Sequence, residues 1–171
     1  LVLTNHHCVI SCVTALSTSE SNYIEHGFMA QLREQELRCP NMSIDVLTSI
    51  TDVTASIDAA TAGVAPEGFA RARDAEFARL TRDCTSEDTR CEVVTLYQGG
   101  RYGLYQYQTY DDVRLVFAPE HSMAAFGGDP DNFNFPRYCL DFSFLRLYEN
   151  GAPALTPDHL DMRFTPLAEN E

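Results

Sequence analysis

Three segments rich in β-branched and aromatic residues follow one another with almost nothing between them. They are Glu92 to Tyr97, Tyr102 to Thr109 and Asp112 to Phe117, broken only at Gly99-Gly100 and at Tyr110-Asp111. Strand-forming runs separated by such short turn signals read as a β-meander. More strand texture flanks them. Leu1 to Ile10 is apolar and β-branched and suits a buried strand, and Ser43 to Ile57 mixes Ile44, Val46, Leu47, Ile50, Val53 and Ile57 with Thr and Ser. Leu140 to Tyr148 alternates and runs into an Asn150-Gly151 turn. Two stretches read as helices instead: Tyr23 to Leu37, stopping before Cys39-Pro40, and Pro66 to Asp83, where Phe69, Arg73, Phe77 and Leu80 recur at helical spacing. A loop rich in Gly, Asp, Pro and Asn occupies Phe126 to Pro136. The balance argues for a mainly β chain, a β-barrel carrying a helical insertion at about 64–83.

The 171 residues suffice for one domain with a sizeable core. With 12 basic residues against 25 acidic ones, the formal net charge of -13 disfavours nucleic acid as a partner. No run of about 18 apolar residues occurs, so no membrane-spanning helix is expected. The chain opens at Leu1-Val2-Leu3-Thr4, in what reads as the middle of a strand, without an initiator Met or a signal peptide. That points to a piece of a longer protein whose start lies upstream. Six cysteines, none in a C-x-x-C pair, suggest disulfides and an oxidising compartment. Cys84 and Cys91, which bracket a polar loop, form the expected local pair, and the remaining connectivity is open.

Two short motifs carry chemistry. The first is Leu3-Thr4-Asn5-His6-His7-Cys8. A strand ending in Thr, two further residues and then His-Cys resembles the way chymotrypsin-like peptidases present a general base, an imidazole open to a cleft that can accept a hydroxyl proton. His7, directly before the cysteine, is the chosen base, and His6 would point the other way along an extended chain. A zinc site built from His6 or His7 with Cys8 and Cys12 is disfavoured, because adjacent residues rarely share one tetrahedral metal. The second motif is Asp141-Phe142-Ser143-Phe144-Leu145-Arg146-Leu147. An aspartate at the mouth of an apolar strand can accept the Nδ1 hydrogen bond of an imidazole and hold its tautomer.

Longer blocks recur in a fixed order along the chain. After Asn5-His6-His7-Cys8 come His26-Gly27-Phe28-Met29-Ala30 and Glu34-Gln35-Glu36-Leu37, then Tyr110 to Pro119, Phe126 to Asn132, Phe135-Pro136-Arg137 and Asp141-Phe142-Ser143-Phe144. Together they resemble the dipeptidyl-peptidase 7 and 11 family of bacterial chymotrypsin-fold serine exopeptidases. The resemblance implies a double β-barrel of which this chain is the incomplete first barrel, with a separate helical cap. It implies enzymes that need no cofactor, act as homodimers in the periplasm or at the cell surface of Gram-negative bacteria, and remove dipeptides from the free N-terminus of oligopeptides. By the match, His7 is the general base, Asp141 its orienting carboxylate, and Asn132 with Phe133 holds the substrate's ammonium group. Desolvating an ammonium is costly, so fixed acceptors and an aromatic face are physically sensible there. Better-known members carry Trp where this chain has Phe133, whose ring is a weaker cation-binding face. A calcium loop using Asp129 and Asp131 lacks further ligands.

A serine nucleophile of this class sits in a Gly-x-Ser-Gly-like turn that also forms the oxyanion hole. No serine here has that setting, Ser122 and Ser143 included. The nucleophile, the second barrel and the side-chain pocket are therefore expected outside these residues, and the 171 residues alone are expected to be inactive. Two other readings stay open: a chymotrypsin-fold endopeptidase, and a catalytically dead homologue that binds peptides.

Overall fold

The computed structural model describes residues 1–126, 139–157, 159–163, 165–166 and 168. The chain is mainly β, arranged as two antiparallel sheets with helices against them. In the larger sheet the order is β1 (Val2–Thr4), β8 (Ser143–Glu149), β7 (Asp112–Ala118) and β2 (Phe28–Met29), with β3 (Leu37–Arg38) also on β7 and β9 (Ala152–Pro153) on β8. The smaller sheet has the order β4 (Ile44–Asp52), β6 (Arg101–Tyr110), β5 (Thr89–Leu96).

The first ten residues depart from expectation. The strand stops at Thr4, and His6–Leu16 is a helix, α1. His6, Val9, Val13 and Leu16 fall on one stripe at helical spacing, and that stripe faces β7 and β8. Val9, Cys12 and Val13 are buried against Val113, Leu115, Leu145 and Leu147. The alternation along β7 puts Val113 and Leu115 inward, opposite Leu147 and Leu145. A register shift between Leu115 and Phe117 then turns Ala118 to the same interior.

Tyr23 to Leu37 is not one helix. It divides into a single turn α2 (Tyr23–His26), the strand β2, a 3₁₀ turn at Arg33–Gln35 and the strand β3. The break falls at Gly27, whose φ is 67° and where a Cβ would stand 2.8 Å from the carbonyl oxygen of Ala118. Only glycine allows the chain to pass so close to the end of β7.

The expected three-strand meander is also corrected. β5 and β6 pair, but at Tyr110-Asp111 the chain leaves that sheet, and β7 pairs in the other one. The place beside β6 is taken by β4 instead. β4 ends at Asp52, where Asp52 Oδ1 accepts from the Thr54 backbone N–H and a helix α3 (Thr54–Thr61) begins. Helix α4 (Pro66–Cys84) follows, with Pro66 in its first turn. The two helices cover one face of the smaller sheet, packing Ile57, Phe77 and Leu80 against Tyr102, Val93 and Leu104. Cys84 is joined to Cys91, tying the end of α4 to β5, and Cys12 is joined to Cys39, tying α1 to the stretch after β3. Asn150 and Gly151, both at positive φ, make the tight turn between β8 and β9.

One charged group lies deep in the larger sheet. The Glu36 carboxylate, its side chain 2% exposed, accepts from Arg146 Nε and from the Tyr148 hydroxyl, each at 2.8 Å. The Arg114 guanidinium stacks 3.7 Å above the Tyr148 ring and pairs through two bonds with Asp112. Removing one partner of such a group leaves the others buried and unpaired. Glu36→Ala should therefore lower stability by about 3 kcal/mol, measured as a fall in the denaturation midpoint. A midpoint equal to wild type would show that the network contributes nothing.

Candidate active site

Asp141 stands just before β8, and α1 starts just after β1, the strand that pairs with β8. The pairing Thr4↔Ser143 therefore sets the N-terminus of α1 directly against the Asp141 carboxylate. Oδ1 accepts from the His7 backbone N–H at 3.1 Å, and Oδ2 lies 2.7 Å from His7 Nδ1. Oδ2 also accepts from the Asn5 side-chain amide at 3.1 Å, and the same amide stands 3.2 Å from the Asp141 carbonyl oxygen. Behind the carboxylate, Phe142 stacks on Phe117 at 5.3 Å and meets Phe144 edge-on at 5.7 Å. The Leu140 N–H donates to the Met123 carbonyl on helix α5 (His121–Phe126), so the segment carrying Asp141 is held on both sides.

Burial alone would raise the Asp141 pKa. The hydrogen bonds from the His7 backbone, the His7 ring and the Asn5 amide outweigh it and bring the carboxyl below the ordinary aspartate value. An ionised carboxylate only accepts, so the imidazole proton on this side sits on Nδ1. The lone pair of the neutral ring is then on Nε2. The His7 side chain is 69% exposed, and among the described residues its only side-chain hydrogen bond is the one to Asp141. The arrangement is an oriented base that can take a proton from a group presented at its open side.

His6 lies on the other side of the helix start and is 1% exposed. Its Nδ1 is 3.5 Å from the Ser143 hydroxyl, its ring is tilted against that of His121 at 5.7 Å, and its Nε2 has no protein partner among the described residues. Ser143 is thus buried against His6 and is not bonded to His7. The separation of the two histidines arises from a helical turn, not from the alternation of an extended chain. Cys12 is bonded to Cys39 and offers no thiolate to a metal, while Cys8 is an exposed free thiol. Asn132 and Phe133 lie outside the described residues.

Sequence reasoning missed Asn5. The signal for it was present, since Asn immediately before an apolar helical stripe marks a helix start.

The whole chain, residues 1–171, matches the Peptidase S46 family, and the protein belongs to it. Dipeptidyl-peptidase 7 of Porphyromonas endodontalis is 37% identical over 162 residues, covering 91% of this chain and 19% of that relative. The Asp/Glu-specific dipeptidyl-peptidase of Shewanella putrefaciens is 35% identical over 158 residues, covering 90% of this chain and 21% of its own length. The crystal structure of Porphyromonas endodontalis DPP11 superposes with a TM-score of 0.71 at 34% identity, over 91% of this chain and 23% of that one. The same protein has been solved in complex with the dipeptide Arg-Glu. The fold is accordingly part of a chymotrypsin-like peptidase, and the chain spans about a fifth of the relatives it matches.

Burial and then the neighbouring His121 hold the His6 pKa below its ordinary value, with Asp141 opposing and His7 adding to the fall. A base that is harder to protonate in the fold than in the unfolded chain favours unfolding in acid. Its contribution is whole above the ordinary imidazole value of about 6.5 and is lost as pH drops below it. Asp141, with its lowered pKa, contributes above the ordinary aspartate value of about 3.9 and loses that only at lower pH. Stability measured against pH should therefore fall in an upper step set by His6 and in a lower one that Asp141 shares with other carboxyls of lowered pKa, among them Glu92 and Asp112. His6→Leu should remove the upper one, and an upper step unchanged in that variant would assign it to another group.

Proposed function

We propose that the protein carrying this chain is a serine-type dipeptidyl peptidase that releases dipeptides from the free N-terminus of oligopeptides. His7 serves as general base and Asp141 as its orienting carboxylate. The observation that carries this reading is the 2.7 Å contact between His7 Nδ1 and Asp141 Oδ2, on a largely exposed side chain, in a chain of the Peptidase S46 family.

In this mechanism a serine hydroxyl from outside these residues approaches His7 Nε2, gives up its proton and attacks the scissile carbonyl. The imidazolium that forms is stabilised by the Asp141 carboxylate, and it then returns the proton to the departing amine. Asn132 and Phe133 hold the substrate's terminal ammonium, which confines cleavage to chains with a free N-terminus. The full protein is a homodimer working in the periplasm or at the cell surface, without a cofactor. Support for an oxidising compartment comes from the two disulfides.

The test is dipeptide release by the whole protein from matched peptides with free and acetylated N-termini. Asp141→Asn should lower kcat about 10⁴-fold with little change in KM, because the ring loses its tautomer and its counter-charge. Only the free N-termini should be cut. Undiminished turnover in Asp141→Asn would refute the assigned roles, and equal cleavage of acetylated peptides would make the enzyme an endopeptidase.

A further inference from the structure

Asn5 occupies the N-cap of α1, where an Asn side chain ordinarily accepts a hydrogen bond from the N2 or N3 backbone N–H. Here it makes no such bond. The N2 donor, the backbone N–H of His7, is instead satisfied by Asp141 Oδ1, from a residue 134 positions away. The Asn5 side chain is thereby released from capping, and both of its contacts go to Asp141, at Oδ2 and at the carbonyl oxygen. Both groups are acceptors, so the amide must present its NH₂ side, which settles its orientation chemically.

We propose that Asn5 is a positioning residue whose NH₂ group fixes the Asp141 carboxylate for His7. The inference rests on the peptidase reading of the site and adds a member to it. Oδ2 carries two donors, the His7 ring and the Asn5 amide, while Oδ1 is held by the helix N-terminus. The second contact, to the Asp141 carbonyl, ties the side chain and its own backbone to one amide. With three donors from one helix start the carboxylate cannot rotate without breaking a charge-assisted bond. Asn5 brings no charge of its own, so it orients Asp141 without neutralising the negative charge that an imidazolium needs.

A capping role and a donor role rank the same two variants in opposite order. Asp caps a helix about as well as Asn, and Ala does not. If Asn5 merely capped α1, Asn5→Asp would match wild type in turnover and melting temperature, and Asn5→Ala would be the worse of the two. A donor role makes Asn5→Asp the worse, because it sets a second carboxylate against Asp141.

In the whole protein, Asn5→Ala should lower kcat about tenfold to a hundredfold through misplacement of the base, with KM unchanged. Asn5→Asp should lose more, and should melt below Asn5→Ala at neutral pH. That gap should close towards pH 4, where a protonated carboxyl can again donate to Oδ2. An Asn5→Asp protein as active and as stable as wild type would overturn the assignment. The two failures separate: intact turnover in Asp141→Asn sinks the peptidase reading of the site, whereas an inactive Asp141→Asn beside a fully active Asn5→Asp sinks only the role of Asn5.

Discussion

The carboxylate of Asp141 joins two ends of the chain that nothing in their local sequence would bring together. It takes the first turn of α1 as its hydrogen-bond partner, and the helix takes it as a cap supplied from the segment just before β8. Helix N-termini carry unsatisfied N–H groups and partial positive charge, so an anion at that point is favoured whatever else it does. The same ionic group thus closes the helix start and orients the imidazole. One physical requirement, an acceptor at the end of α1, serves the fold and the site together.

Around that contact the packing leaves little freedom. β1 pairs with β8 from Val2↔Leu145 to Thr4↔Ser143, so the residues just before the helix start and just after Asp141 are held in register by a sheet ladder. The apolar stripe of α1 buries against Val113, Leu115, Leu145 and Leu147, and Cys12 is bonded to Cys39. A helix anchored by its core face and by a disulfide cannot slide along β8. Core packing thus brings His7 and Asp141 within reach, and the contact, which in water would be weak alone, fixes how they face each other.

What could be read in the sequence was what depends on local period and on motif. The helix α4 and the strands β5, β6, β7 and β8 appear where periodicity placed them, and Cys84 is joined to Cys91 as its short polar loop suggested. The failures share one cause, a local signal overruled by tertiary structure. Leu1 to Ile10 is β-branched enough to read as a strand, yet Val9 and Val13 are wanted on a helical stripe against β7. Tyr110-Asp111 looks like a hairpin turn, but β7 pairs with β8 in the larger sheet, and β4 takes the edge of β6. Gly27 breaks what had looked like a continuous helix because β7 passes too close for any side chain. Of the site, His7 and Asp141 were legible as residues, and the structure brings them together. Asn5 was legible only as a helix start, because its part depends on Asp141 taking the His7 N–H that an N-cap would otherwise have held.

The two adjacent histidines show how a helical turn assigns opposite environments to one residue type. His6 shares the stripe of Val9 and Val13 and is carried inside, where one ring nitrogen is unpartnered among the described residues and burial lowers the pKa of the imidazole. His7, about 100° further round the helix, is carried out to the carboxylate and to solvent. Had the strand continued through these positions, alternation would also have separated them, but a backbone N–H of that edge strand would have bonded into the β8 ladder or pointed away from it, not at the Asp141 side chain. The helix supplies a free N–H at the position where the base also sits. This is why the base lies in the first turn of α1 rather than in its middle: only there can one carboxylate hold the backbone and the ring of the same residue.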